Sequence, residues 1–146
     1  MNKTERFAQY AEDFEKTYAD DDWSRLRQHF TDDAVYETVG DEAFAGRAEG
    51  LDALLDRLQS AVNGFDRKFA TRNLELKGDL EERPDSVFLS WEATYTVPDA
   101  PALTLAGTEE AVFDGDRIKH LKDTFRPEIG AAVAAWMEKH GTKLGS

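Results

Sequence analysis

The hydrophobic period of this chain changes near residue 64, and that change strongly constrains the fold. Before it, apolar side chains recur at the spacing of one face of an amphipathic helix. After it, residues 87–97 alternate apolar and polar side chains, which is the pattern of a half-buried strand. Helices followed by a run of strands are typical of an α+β domain.

Turn residues divide the chain into predicted elements. We predict helices near residues 4–19, 22–30 and 47–62, and strands near 34–39, 67–77, 86–97, 102–113 and 117–126. Asp114-Gly115-Asp116 is a hairpin signal between the last two strands. Pro127 opens a final helix, whose apolar stripe must be buried. Residues 1–126 therefore form one domain, and residues 127–146 add a C-terminal helix and tail to that domain.

The composition limits the classes of function. The 146 residues contain no cysteine, which excludes disulfides, thiolate nucleophiles and cysteine metal sites. The net charge of −12 argues against a nucleic-acid partner, and anionic ligands would be repelled unless a local Arg or Lys received them. No apolar run approaches a membrane span, and "MNKTERFAQY" lacks the apolar core of a signal peptide. We expect a cytoplasmic protein that uses no metal and no cofactor.

Three stretches carry a resemblance to a known family. They are "HFTDDAVYETVG" (29–40), "AGRAEGLDALL" (45–55) and "GTEEAVFDGDRIKHLKDTF" (107–125). Together they resemble the nuclear transport factor two superfamily, which includes ketosteroid isomerases and polyketide-cyclase-like proteins. The resemblance implies a cone-shaped, curved antiparallel sheet wrapped around the N-terminal helices, with a pocket for a small hydrophobic or polar-tipped molecule. It also implies a homodimer.

The isomerase-like members use three groups that this sequence retains only in part. A gapless alignment places Phe14 at the family's helical tyrosine, Thr38 at its proton-shuttling aspartate and Glu109 near its third, protonated acid. A threonine hydroxyl is no general base near neutral pH, so we expect Thr38 to line the pocket or to satisfy a backbone partner. The superfamily also includes epoxide-hydrolase-like members, which use an aspartate on the last strand. The stretch "KDTF" resembles that part of their pattern and places Asp123 at this aspartate.

Two carboxylates nevertheless share the apolar phase of consecutive strands. Glu109 is in phase with Leu105 and Phe113, and Asp123 is in phase with Leu121. Burial would raise their pKa values and make one a general acid or base. The alternative interpretation is that one lies solvated at the rim or pairs with Arg72 or Lys122.

The candidate site follows from these patterns. The candidate catalytic residues are Glu109, Asp123 and His120, although a regular strand aims His120 away from Asp123. The candidate ligand-binding residues are Tyr36, Thr38, Trp91, Tyr95, Phe14, Leu55 and Phe113. The function predicted is a cofactor-free lyase, isomerase or cyclase that uses a pocket carboxylate. The alternative is a non-catalytic small-molecule-binding or dimerisation module.

Overall fold

One seven-stranded sheet frames the structure, a computed structural model that describes residues 2–144. The helices are α1 (Lys3–Asp20), α2 (Leu51–Gly64) and α3 (Ile129–His140), with 3₁₀ helices at Trp23–His29, Asp66–Lys68 and Gly141–Lys143. The strands are β1 (Phe30–Val39), β2 (Gly46–Glu49), β3 (Thr71–Leu76), β4 (Glu81–Glu82), β5 (Ser86–Thr96), β6 (Leu103–Asp114) and β7 (Arg117–Phe125).

The strand order brings the first strand, β1, beside the last strand, β7. The order is β2-β1-β7-β6-β5-β3, with β4 paired to β5 off this path. Strands β3, β5, β6 and β7 pair antiparallel as expected, whereas β1 lies parallel to β7. The predicted α+β class with a curved sheet is confirmed, and the parallel pair is the difference from an all-antiparallel sheet. Strand β1 thereby lies directly beside the strand that carries Asp123.

Helix α1 turns its apolar face towards the sheet, and both of its ends are capped. The Asn2 side chain accepts a hydrogen bond from the Glu5 amide at 2.8 Å, and the Glu5 carboxylate accepts one from the Asn2 amide. Asp21 ends the helix in the left-handed conformation, with φ of 62°. Phe7 and Tyr10 are buried along the inner face. The capped helix therefore holds Tyr10 at a fixed height above the sheet.

Two predicted helices differ from those observed. Residues 23–29 form a 3₁₀ helix, and Phe30 is already extended and begins β1. The helix predicted over 47–62 begins only at Leu51, because Gly46–Glu49 pairs antiparallel with β1 as an edge strand. Gly50, with φ of +95°, makes the bend between them, a conformation that favours glycine. The strand predicted from residue 67 begins at Thr71, after a short 3₁₀ helix.

The apolar core consists of two clusters. One contains residues of α1, α2 and β1 packed against the Ala111–Leu121 region of the sheet. The other lies at the opposite end and includes Phe69, Leu105 and the residues of α3. Trp91 packs against both clusters. The space between them is consequently bounded by apolar side chains on nearly all sides.

Helix α3 closes the second cluster, as the burial of its stripe requires. Ile129 and Trp136 are buried, while Val133 and Met137 are partly buried. The Trp136 indole donates to the Pro101 carbonyl at 2.8 Å. The Gly130 amide, in the first turn of α3, donates to the Asp41 carboxylate at 2.7 Å, a favourable place for an anion. Among residues 2–144, no helix has the length and apolarity required to cross a membrane.

We expect Trp136→Ala to lower the free energy of unfolding by about 3 to 5 kcal/mol, because it removes a buried aromatic side chain and leaves a cavity. Urea denaturation measures this loss. Lys139→Ala, at an exposed position of the same helix, is the control and should change stability little. Equal stability of the two variants would contradict the packing of α3 on the sheet.

Candidate active site

A cavity of about 610 Å³ lies between the helices and the concave face of the sheet. Its walls come from α1, α2 and strands β1, β3, β5, β6 and β7, and they are overwhelmingly apolar. Representative apolar wall residues are Phe7, Phe14, Leu58, Leu89, Trp91 and Leu105. A cavity of this size and character suits a small, mostly apolar organic molecule.

The two candidate carboxylates meet on the wall of this cavity. Glu109 of β6 and Asp123 of β7 are direct cross-strand partners, so their side chains lie on the same face of the sheet. Both line the cavity, and both keep partial exposure because the cavity reaches them. Arg72 and Lys122, considered as alternative partners from the sequence, form no ion pair with either one among the described residues. The two acids therefore face each other.

Tyr36 fixes one oxygen of this pair. Its hydroxyl donates to Asp123 Oδ2 at 2.8 Å, and its side chain is only 6% exposed. The parallel pairing of β1 with β7 sets Tyr36 beside Leu121 and Thr38 beside Asp123, which brings the phenol within reach. Burial, and then the charge of Asp123, raise the pKa of Tyr36 well above its usual value, so the phenol keeps its proton.

Two adjacent carboxylates in an apolar cavity cannot both ionise cheaply, so these surroundings favour a proton on one of them. Burial raises the pKa of Glu109 well above its usual value, and the charge of Asp123 adds to this. Burial also raises the pKa of Asp123, while hydrogen bonds from Glu109 and Tyr36 oppose that rise. Asp123 Oδ1 is buried and has no hydrogen-bond partner among the described residues. The rise is larger for Glu109, so Glu109 is the member of the pair that holds a proton more readily.

Tyr10 is a site residue that the sequence analysis missed. It is buried on α1 and lines the cavity, and its hydroxyl makes no hydrogen bond with another residue of the range 2–144. Burial raises the pKa of Tyr10, and the charges of Glu109 and Asp123 raise it further. All three side chains line the same cavity. The gapless alignment selected Phe14, which lies one helical turn later on the same face of α1. The signal for Tyr10 was its place in that same apolar stripe.

A second polar cluster lies elsewhere on the cavity wall. Arg72 donates to Asp66 at 3.1 Å and to Glu15 at 2.8 Å, and its guanidinium lies 4.6 Å from the centre of the Tyr18 ring. The Tyr95 hydroxyl donates to Asp66 at 3.1 Å, so it is already engaged with the protein. Burial raises the pKa of Asp66, and the charge of Arg72 opposes the rise.

The remaining candidate residues lie in three different surroundings. Phe14 and Trp91 line the cavity with Tyr36 and Tyr95, whereas Leu55 and Phe113 are buried in the core and do not reach it. His120 contacts Glu37 at 3.2 Å on the other face of the sheet, because strand alternation turns it away from Asp123. The structure therefore does not bring His120 to the acid pair.

Thr38 satisfies a backbone partner, one of the two roles expected for it. Its hydroxyl donates to the Phe44 carbonyl and accepts from Arg57 Nη2 at 2.8 Å. It lines a separate hollow, which is bordered by fewer residues, and it does not line the main cavity. Across residues 2–144, no three His, Cys, Asp or Glu side chains cluster closely enough to hold a metal ion.

The sequence matches one family model. The model of the SnoaL-like domain covers residues 11–121, which is well over half of the chain and includes Glu109. No curated protein sequence matches the chain significantly.

Three solved structures illustrate the similarity in fold. Bal32a, from a soil-derived mobile gene cassette, is 18% identical, with 92% of this chain and 99% of that chain covered at a TM-score of 0.66. An NTF2-like protein from Burkholderia pseudomallei is 12% identical, with 90% and 96% covered at a TM-score of 0.65. TerC, co-crystallised with polyporic acid, is 16% identical, with 88% and 98% covered at a TM-score of 0.61. At these identities the likeness shows the NTF2-like fold alone, and it confirms the resemblance found in the sequence.

The raised pKa of Glu109 predicts how stability depends on pH. Between the unfolded value, about 4.3, and the higher folded value, the folded state binds more protons than the unfolded state. The free energy of unfolding therefore falls as pH rises through that window, by at most about 1.4 kcal/mol per pH unit for one proton. Glu109→Gln should remove this fall, so the variant should gain stability relative to the wild type as pH increases.

Urea denaturation between pH 4.5 and 8, a range that begins about at the unfolded value of Glu109, measures the effect. Glu138→Gln, at an exposed position of α3, is the matched control and should follow the wild-type curve. Parallel curves for the wild type and Glu109→Gln would show that Glu109 is not held protonated by its surroundings.

Proposed function

The chain belongs to the SnoaL-like domain family, and we propose that it is a cofactor-free enzyme that moves a proton on a small, mostly apolar carbonyl compound. The observation that carries this proposal is the pair of Glu109 and Asp123, two cross-strand partners whose carboxyl groups line one apolar cavity. Such a pair offers one acid and one base side by side, and pKa values driven apart by environment are a mark of acid–base sites.

The cavity favours a hydrophobic substrate with one polar end. The wall between Phe7 and Trp91 offers contact to an apolar body, and the acid pair offers hydrogen bonds to a polar group. TerC, a protein of the same fold, was co-crystallised with polyporic acid, which is consistent with small organic ligands in such folds. This likeness supports the class of ligand and does not identify it.

Asp123 is the proposed base. As the ionised member of the pair it accepts a proton from the carbon next to the substrate carbonyl, where loss of a proton leaves an enolate. Tyr36 holds its Oδ2 at 2.8 Å, which orients the carboxylate and keeps it from turning away from the cavity. Burial raises the pKa of Asp123 and so makes it a stronger base than an exposed aspartate.

Tyr10 and Glu109 are the proposed donors to the carbonyl oxygen. Both keep their protons, because burial raises both pKa values. A hydrogen bond from each would stabilise the negative charge that develops on the oxygen as the enolate forms. In a cavity with apolar walls these bonds are stronger than in water. The donors and the base then approach the substrate from one end of the cavity.

The proton taken by Asp123 has two possible fates. Where the substrate carries a carbon–carbon double bond conjugated with the enolate, return of the proton to the far carbon of that system shifts the double bond and completes an isomerisation. Alternatively, the enolate carbon attacks a second carbonyl of the same molecule, a carbon–carbon bond forms, and the proton goes to the new alkoxide. Neither route needs an oxidant, a reductant or a second substrate.

The proposal predicts a bell-shaped dependence of kcat/KM on pH. Activity should rise with pH as Asp123 ionises, and it should fall again when Glu109 loses the proton that it donates. Tyr36→Phe removes a hydrogen bond that holds the pKa of Asp123 down, so its acid limb should move to higher pH. An acid limb at the wild-type position in Tyr36→Phe would contradict the role of that hydrogen bond.

Hydrogen–deuterium exchange of 2-tetralone tests the proposal without knowledge of the natural substrate. This bicyclic ketone has acidic hydrogens beside its carbonyl, and NMR follows their replacement in deuterated water. The protein should accelerate exchange, and Asp123→Asn should reduce that acceleration by about 100-fold or more, the range for loss of a general base. Asp79→Asn, at an exposed turn position, is the matched control and should exchange like the wild type.

Two results would distinguish catalysis from binding alone. Binding of 2-tetralone without faster exchange would favour the alternative of a non-catalytic small-molecule-binding module. Faster exchange that survives in Asp123→Asn would contradict the role of Asp123. The homodimer expected from the family resemblance stays a prediction, which sedimentation equilibrium would test.

A further inference from the structure

A second hollow lies on the other side of the Phe44 ring from the main cavity. It has a volume of about 610 Å³ and is bordered by α2, the end of β1 and the loop 40–45. It shares four wall residues with the main cavity, Tyr36, Phe44, Ala61 and Phe125. The rings of Phe44 and Phe125 stack with centres 4.9 Å apart and contribute to this common wall. The acid pair lines the main cavity and not this hollow.

Arg57 gives the second hollow a positive charge that forms no ion pair with a described residue. Of the ten arginines in the chain, seven form ion pairs with carboxylates among residues 2–144. Arg117 and Arg126 are exposed and free to be solvated, whereas Arg57 is half-buried. No carboxylate of the described residues lies within ion-pairing distance of its guanidinium, although the chain carries a net charge of −12. A half-buried cation left without a partner in so acidic a protein is unusual.

The guanidinium is held in place by neutral groups. Nη2 donates to Thr38 Oγ1 at 2.8 Å and to the Phe44 carbonyl at 3.4 Å. Gly46 leaves the room in which it lies, since a Cβ atom there would come within 2.2 Å of Nη2. Nε is buried without a hydrogen-bond partner, and Nη1 donates to no atom of the described chain. The group is therefore oriented in advance, while part of its donor capacity is unused.

We propose that Arg57 is the anchor of a binding site for the carboxylate of a small, amphipathic monocarboxylic acid. Nη1 faces the anion, and the Ser60 hydroxyl on the same wall offers a further hydrogen bond. Ala43, Phe44 and Phe125 supply apolar surface for the body of the ligand. Asp56 also borders the hollow, and its charge disfavours a ligand that carries two negative charges.

This site is independent of the proton chemistry proposed for the main cavity. Its anchor lies on α2, and none of its contacts involves Glu109 or Asp123. It therefore stands or fails separately from the proposed function. The shared wall through Phe44 also means that an occupied second hollow adjoins the main cavity directly.

Benzoate is the probe for this site, and benzamide is its neutral counterpart of nearly the same shape. NMR titration at low ionic strength should show benzoate binding at least about 10-fold more tightly than benzamide, because only the anion forms a charge-assisted pair with the guanidinium. The largest shifts should fall on the Arg57 Nε–H signal and on the amides of Ala43 and Ser60. Benzoate that shifts only residues of the main cavity, such as Tyr10 and Leu89, would overturn the proposal.

Two substitutions separate the charge from general effects on the fold. Arg57→Gln should weaken benzoate binding by about 10-fold or more and leave benzamide binding unchanged. Arg47→Gln is the matched control, because it removes the same charge from an exposed arginine of β2 outside the hollow. It should bind benzoate like the wild type. Equal losses in the two variants would reduce the effect to net charge and overturn the site.

Arg57→Lys covers the case in which Arg57→Gln does not fold, since Arg57 also supports the Phe44 loop. The lysine keeps the charge but not the planar fork, so the preference for benzoate over benzamide should persist at lower affinity. Equal binding of benzoate and benzamide by a folded Arg57→Lys protein would contradict an anion site at this position.

Discussion

The pairing register of β6 with β7 holds two carboxyl groups against each other on the concave face of the sheet. Glu109 lies directly opposite Asp123, and a slip of one residue would turn one of them towards the outer face. This register raises the pKa of both carboxyl groups, because an apolar cavity stabilises one negative charge poorly and two much less. Tyr36 donates a hydrogen bond to Asp123 of this pair, and the charges of the pair raise the pKa of Tyr10.

The sheet brings the other groups to the pair by long-range contacts. The parallel pairing of β1 with β7 joins residues more than eighty positions apart, and it delivers the Tyr36 hydroxyl to Asp123. Capped helix α1 crosses above the sheet and delivers Tyr10 from a third part of the chain. The site is thus an assembly of four elements, α1, β1, β6 and β7, from three separate parts of the chain.

The loop 40–45 connects the two hollows and the C-terminal helix. Its Phe44 carbonyl is held by Thr38 and Arg57, while its Asp41 carboxylate accepts from the first turn of α3. The position that the isomerase-like pattern gives to a catalytic carboxylate is thus occupied here by a structural hydroxyl. In the proposed function, the acid pair of the β6–β7 hairpin takes the place of that carboxylate on another wall of the cavity.

The sequence by itself determined the α+β class, the consecutive strands and the inward phase of Glu109 and Asp123, because strand alternation is a local property. It did not determine the parallel neighbour of β7, the edge strand Gly46–Glu49 or the choice of Tyr10 over Phe14. Those depend on which segments meet in space, and no local period encodes that. His120 illustrates both contributions. Strand alternation in the sequence indicated that it points away from Asp123, whereas only the folded sheet supplied Glu37 as its partner. Tertiary structure decided whether an inward carboxylate meets solvent, a cation or a second carboxylate. The reason is that the pairing register of the strands sets which side chains lie opposite each other.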